Sequence, residues 1–153
     1  MNIKILCLGK SKKKYIENGV NEYLKRLTKY SHIKFEILPD VKLTKTINIE
    51  IVKEKEAVII EKHISENSLI ICLDEHGKQL TSLEFSVFLN KINQKNIIFI
   101  IGGIYGISSR IIQKADLILS FSHFTFTHQM IRLLLIEQIY RAFTIIKGKK
   151  YHY

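Results

Sequence analysis

The chain has 153 residues, room for one domain, and 46% of them are hydrophobic, which excludes a disordered tail and supports a real core. Its 24 Lys+Arg outnumber 14 Asp+Glu and leave a formal charge of +10. A surplus of that size on a small domain attracts polyanions, nucleic acid first and an anionic membrane second, although a lysine-rich proteome that keeps its proteins soluble produces it too.

Apolar runs alternate with helical patterns along the chain. Ile3 to Leu8 reads as a buried strand, and Lys12 to Tyr30 carries Ile16, Val20, Tyr23, Leu24 and Leu27 at helical spacing. Ile33 to Leu38 is a second strand, stopped by Pro39-Asp40, and Val41 to Thr46 is a flexible connection. Ile47 to Ile64 is a weakly patterned helix and Ser68 to Leu73 a third strand. Thr81-x-x-Glu84 resembles a capping box that opens a helix to Ile92. Asn96 to Ile101 is a fourth strand, Ser108 to Lys114 a short helix and Asp116 to Ser120 a fifth strand. A long helix runs from Thr127 to Lys147 and stops at Gly148. This alternation predicts an α/β domain, a mostly parallel sheet with helices on both faces.

The two cysteines, in KILCLG and LIICLD, read as reduced core residues, and no clustering suggests a metal. The opening MNIKILCLGK is too short and too quickly charged for a secretory signal, and no apolar run approaches the ~20 residues that span a bilayer. The expectation is a soluble cytoplasmic protein with no membrane partner. The last helix is apolar around its whole axis, so it must be covered on all sides. A domain this small rarely hides such a helix alone, which predicts a homodimer; a central core helix in a monomer is the alternative.

Five places carry candidate chemistry. Gly102-Gly103-Ile104-Tyr105-Gly106 follows the strand IIFII, and glycines there let backbone approach a ligand, although the spacing fails the dinucleotide fingerprint GxGxxG and suits a plain tight turn as well. Ser120 to Thr127, SFSHFTFT, alternates hydroxyls with aromatics and suits a flat heterocycle or merely a polar turn. His128 and Arg132 stand four apart at the start of the last helix, as do Glu137 and Arg141 within it. Such pairs decorate many helices, but charges on an otherwise apolar helix are buried and need partners. The tail Lys149-Lys150-Tyr151-His152-Tyr153 combines phosphate-binding charge with rings that stack on bases.

The KILCLGK start, ICLDEHGK, IIGGIYG, LSFSHFTFTHQMIRLLLIEQIYRAF and the YH tail together resemble the bacterial ribosomal RNA large subunit methyltransferase H family of the SPOUT superfamily, over essentially the whole length. The resemblance implies a C-terminal trefoil knot, which generic topology rules would not suggest. It implies a bent S-adenosylmethionine held by Leu73, by Gly102 with Gly103 and Gly106, and by Phe121, Ser122, His123, Phe124, Thr125 and Phe126. It also implies a homodimer through the knot and last helix, acting on 23S rRNA in the assembled ribosome at N3 of a pseudouridine in the intersubunit stem-loop. His152 becomes the candidate for accepting the imide proton or holding a carbonyl, with water as the alternative base. Tyr151 would stack on the base, and Arg132, Arg141 or His128, with Glu137 beside them, would stabilise charge on it. One departure is visible: the family usually has proline before the motif histidine, where this chain has Thr127, whose hydroxyl can cap the helix instead. A Gly102→Val change is expected to block the ligand without unfolding the chain.

Overall fold

The computed structural model describes residues 1–92 and 96–153. Along the chain come β1 (Asn2–Leu8), α1 (Lys14–Leu27), β2 (His32–Leu38), α2 (Ile49–Glu61), β3 (Ser68–Gln79), α3 (Ser82–Lys91), β4 (Asn96–Ile101), α4 (Ser109–Ile112), β5 (Leu117–Ser120) and α5 (Met130–Ile146). The strands form one sheet in the order β2-β1-β4-β3-β5, and all four ladders are parallel. Alternate residues of each strand point to opposite faces, which yields two cores. Ile3, Ile5, Cys7, Ile97, Phe99 and Ile101 pack with α1, α3 and α5, while Leu6, Leu8, Ile98 and Ile100 pack under α2 and α4. Both cysteines are buried and free.

The helix starts follow the sequence. Thr81 Oγ1 accepts from the Glu84 amide at 3.1 Å and Glu84 Oε2 from the Thr81 amide at 2.7 Å, a complete capping box. Thr127 caps α5 from three residues upstream: its hydroxyl accepts from the Met130 amide at 3.1 Å and its carbonyl from the Ile131 amide at 3.1 Å. At the other end Gly148 sits at φ +60°, and Lys149 donates its amide to the Thr144 carbonyl at 2.8 Å. No residue of α5 is exposed, yet α1, α3 and the sheet accomplish most of that within one chain. Total coverage therefore does not by itself demand a partner; Ile131, Leu134 and Gln138 are among the half-open positions.

β3 departs most from expectation. It continues past Leu73 to Gln79, and Leu119 of β5 is in register with both Leu73 and Lys78. A Cβ on Gly77 would lie 2.7 Å from the Ile118 carbonyl group, so only glycine lets this second pass press on β5. The polar run DEHGK concealed the extension, because backbone approach rather than alternating apolar side chains holds it. The connection from Val41 to Thr46 is also tied down, by the Val41 amide donating to Glu56 Oε1 at 3.1 Å and by a bridge between Thr44 and Ile47.

Candidate functional site

At the carboxyl ends of β3, β4 and β5 opens a cleft of about 950 Å³. Leu73 and Ile101 form its apolar floor, Gly102 to Ile107 one wall, and Leu119 to Ser122 with Phe124 to Gln129 the other. Thus Leu73, Gly102, Gly103, Gly106, Phe121, Ser122, Phe124, Thr125, Phe126 and His128 converge, while His123 is exposed and outside the lining. Lys13, Tyr15, Lys53 and Asp74 to His76 also line it. The sequence reading did not single these out, although KSKKKY and DEHGK are the polar runs that carry most of them.

Local hydrogen bonds shape both walls. The Gly106 amide donates to the Gly103 carbonyl at 3.2 Å, closing a turn in which Gly106 takes φ +83°, a conformation most side chains avoid. Ser120 Oγ donates to the Ser122 carbonyl at 2.9 Å and the Phe124 amide donates to Ser122 Oγ at 3.0 Å. Thr125 Oγ1 donates to Glu75, joining the loop after β5 to the second half of β3. Behind Gly103 lies Glu56, 4% exposed, whose carboxylate oxygens would stand 3.1 Å from any Cβ there. Burial pushes the Glu56 pKa up, against the lowering effect of the Val41 amide. The Gly102→Val expectation fails on this geometry: its Cβ would meet the Gly106 carbonyl carbon and Ile107 Cγ1 at 2.8 Å, so the change damages the loop itself.

The remaining candidates gather elsewhere, on the tail and α5. Arg141 Nη2 donates to Glu137 Oε1 at 2.7 Å, and Tyr151 Oη donates to the same oxygen at 3.0 Å. The Tyr151 ring lies under the Arg141 guanidinium, 4.7 Å from centroid to carbon, and edge-on to Tyr140, while its hydroxyl also meets that of Tyr23 at 3.0 Å. Burial, then these hydrogen bonds, hold its pKa far above the usual phenol range. Both the hydroxyl and the ring of Tyr151 are thus engaged within the chain, which makes it an anchor for the tail rather than an open platform for a base. Arg141 Nη1 donates to His152 Nδ1 at 3.2 Å.

Arg132 belongs to neither group. It is 1% exposed, its Nη2 donates to the Leu8 carbonyl at 2.6 Å, and its Nε and Nη1 have no partner among the described residues. A guanidinium so enclosed does not reach a substrate base, which corrects the charge-stabilising role expected of it. Burial, then the Arg132 charge, lowers the His128 pKa, so His128 is neutral at neutral pH. Among the described residues no three His, Cys, Asp or Glu are grouped to hold a metal, and no helix is long and apolar enough to cross a membrane.

A strand-end cleft walled by a glycine turn on an all-parallel sheet agrees with the family comparison: the model described as "Predicted SPOUT methyltransferase" matches residues 1–152. Proteins named ribosomal RNA large subunit methyltransferase H from Christiangramia forsetii, Halothermothrix orenii and Bacillus cereus are 42%, 45% and 43% identical, with 99% or more of this chain and 99% of each relative aligned. The chain belongs to this ribosomal RNA large subunit methyltransferase H family of SPOUT methyltransferases.

Proposed function

We propose that this protein is an S-adenosylmethionine-dependent 23S rRNA methyltransferase that acts on N3 of a pseudouridine in the intersubunit stem-loop, as a cytoplasmic homodimer with a C-terminal trefoil knot. The cleft carries the reading, because it unites Leu73, the Gly102–Gly106 turn and the Phe121–Phe126 segment. Its volume lies within the roughly 300–1,000 Å³ of small-molecule sites. Apolar floor and phenyl rings suit a flat adenine, and Asp74 and Glu75 suit a ligand with cationic groups. When bound, S-adenosylmethionine supplies an electrophilic methyl group on a positively charged sulfur. The double pairing of Leu119 and the pressure of Gly77 on β5 support a chain threaded through a loop.

The cleft meets α5 at Ile131, whereas His152 is held by Arg141, roughly 15 Å further along the helix, so a site that uses both calls for a second copy, with the tail of one subunit beside the cleft of the other. Ile131, Leu134 and Gln138 supply half-open surface for that contact. Sedimentation at micromolar concentration should give a dimer, whose interface buries roughly 1,200–2,000 Å² in total; a monomer there removes the shared site. Within the tail, Arg141 occupies the lone pair of His152 Nδ1, so the neutral ring carries its proton on Nε2. His152 then donates to a carbonyl of the target base and does not take its imide proton, which leaves to water. Glu137, Arg141 and Tyr151 hold the ring in place.

The test of function is methyl transfer from labelled S-adenosylmethionine to ribosomes of a strain lacking this gene, followed by mass mapping. One new methyl group on a pseudouridine is expected. Binding of ribosomes without binding of S-adenosylmethionine would instead identify a non-catalytic RNA-binding module, and preference for a phosphorylated nucleotide a flavodoxin-like protein. Gly106→Asn tests the site: asparagine tolerates φ > 0, and nothing lies within 4 Å of the added Cβ, so the side chain enters open space. Calorimetry should show at least a tenfold loss of cofactor affinity with the fold retained; unchanged affinity would move the ligand elsewhere.

A further inference from the structure

We infer that the segment Lys10 to Tyr15 is a docking platform for the RNA that flanks the methylated nucleotide, which rests on the methyltransferase reading above. Lys10, Lys12, Lys13, Lys14 and Tyr15 are all exposed, Tyr15 to 61% despite its size. Lys13 and Tyr15 line the rim of the cleft, and Lys53 adds a cation from α2. None of these lysines forms an ion pair among the described residues. Nor do they serve α1, which begins at Lys14, since cations at a helix start oppose its dipole. They therefore concentrate uncompensated positive charge where an anionic partner must approach the cleft.

The segment is held in shape. Ser11 Oγ accepts from the Lys13 amide at 3.4 Å, and Gln129 Nε2, at the foot of α5, donates to the Lys10 carbonyl at 3.3 Å. An exposed ring beside lysines on a tethered backbone is the combination that grips unpaired RNA, with the ring stacking on a base and the ammonium groups on phosphate. Tyr151 lacks that freedom, because Arg141 and Tyr140 cover its ring. Tyr15 thus takes the stacking role on the cleft side, on a nucleotide next to the target.

The experiment measures binding of large ribosomal subunits against potassium chloride concentration for wild type, Tyr15→Ala, Tyr15→Phe and the triple change Lys12→Ala, Lys13→Ala, Lys14→Ala. Melting temperature, the folding control, should not fall, and S-adenosylmethionine affinity is measured on every variant, because Lys13 and Tyr15 stand on the rim of the cleft and a loss of cofactor must be separated from a loss of ribosome binding. Tyr15→Ala should weaken binding roughly 5- to 150-fold, the loss expected for one stacked base, and Tyr15→Phe should restore it. The triple variant should lower the slope of log affinity against log salt by about 2–3. Variants that bind like wild type with an unchanged slope overturn the platform while leaving the methyltransferase reading intact. Wild-type protein that binds no ribosomal particle overturns both. Ultraviolet cross-linking should give a nucleotide adduct on the peptide bearing Tyr15; an adduct to a ribosomal protein in its place overturns RNA as the partner.

Discussion

Replacing His152 with alanine should lower the rate of methyl transfer by about 10²–10³-fold, the usual cost of one donor aimed at developing charge. S-adenosylmethionine affinity should not change, because His152 lines no part of the cleft. The more discriminating variant is His152→Gln. Arg141 Nη1 can donate to a side-chain oxygen as it does to Nδ1, while the amide nitrogen keeps a donor for the substrate. If His152 works by donating from Nε2, glutamine should stay within about tenfold of wild type, a loss of ~1.4 kcal/mol. A residue that removed the imide proton would be lost equally in both variants, since an amide is no base. Equal loss in single-turnover kinetics would thus reverse the assignment. Tyr151 is a poorer probe of chemistry: its removal strips a hydrogen bond from Glu137 and a ring from Arg141, so the whole tail would shift.

Most of the fold was legible because parallel strands buried on both faces leave compact apolar runs. Ile97 to Ile101 is buried throughout, and β4 spans the residues its sequence marks. Helix signals with a stated chemistry, the Thr81–Glu84 box and the Gly148 stop, also recur in the structure. What escaped was geometry made by backbone approach. The second half of β3 is polar and exposed at several positions, so no periodicity betrays it, and only Gly77 hints that another chain passes close. The cleft was legible in its glycines and aromatics, since both segments end strands. Lys13, Tyr15 and Lys53 were not, because a long-range fold brings α1 and α2 to that rim. Arg132 was misjudged for a related reason: helical spacing puts it near His128 but says nothing of how deeply α5 enters the core.

Arg132 sets up the largest stability effect, and its sign depends on the residue that replaces it. Among the described residues the enclosed guanidinium has one hydrogen bond, to Leu8, and two unpartnered nitrogens. Burial lowers its pKa, with partial compensation from Cys7 and Asp40. The Cys7 thiol, however, is itself pushed up to about 12 by burial and offers no negative charge at neutral pH. A buried cation without a contacting counter-ion carries several kcal/mol of desolvation, more than one hydrogen bond to a carbonyl returns. Arg132→Met keeps much of the volume and removes the charge, so its melting temperature should equal or exceed that of wild type. Arg132→Ala removes the charge too but leaves a cavity beside Leu8 at the start of α5. The difference between the two replacements should be ~2–5 kcal/mol. At about 2–4 °C per kcal/mol for a chain of this size, alanine should melt roughly 5–15 °C below methionine. Scanning calorimetry of both variants decides it. If methionine melts as low as alanine, the bond to Leu8 is a net stabiliser, and the guanidinium belongs to the core as a structural strut between β1 and α5.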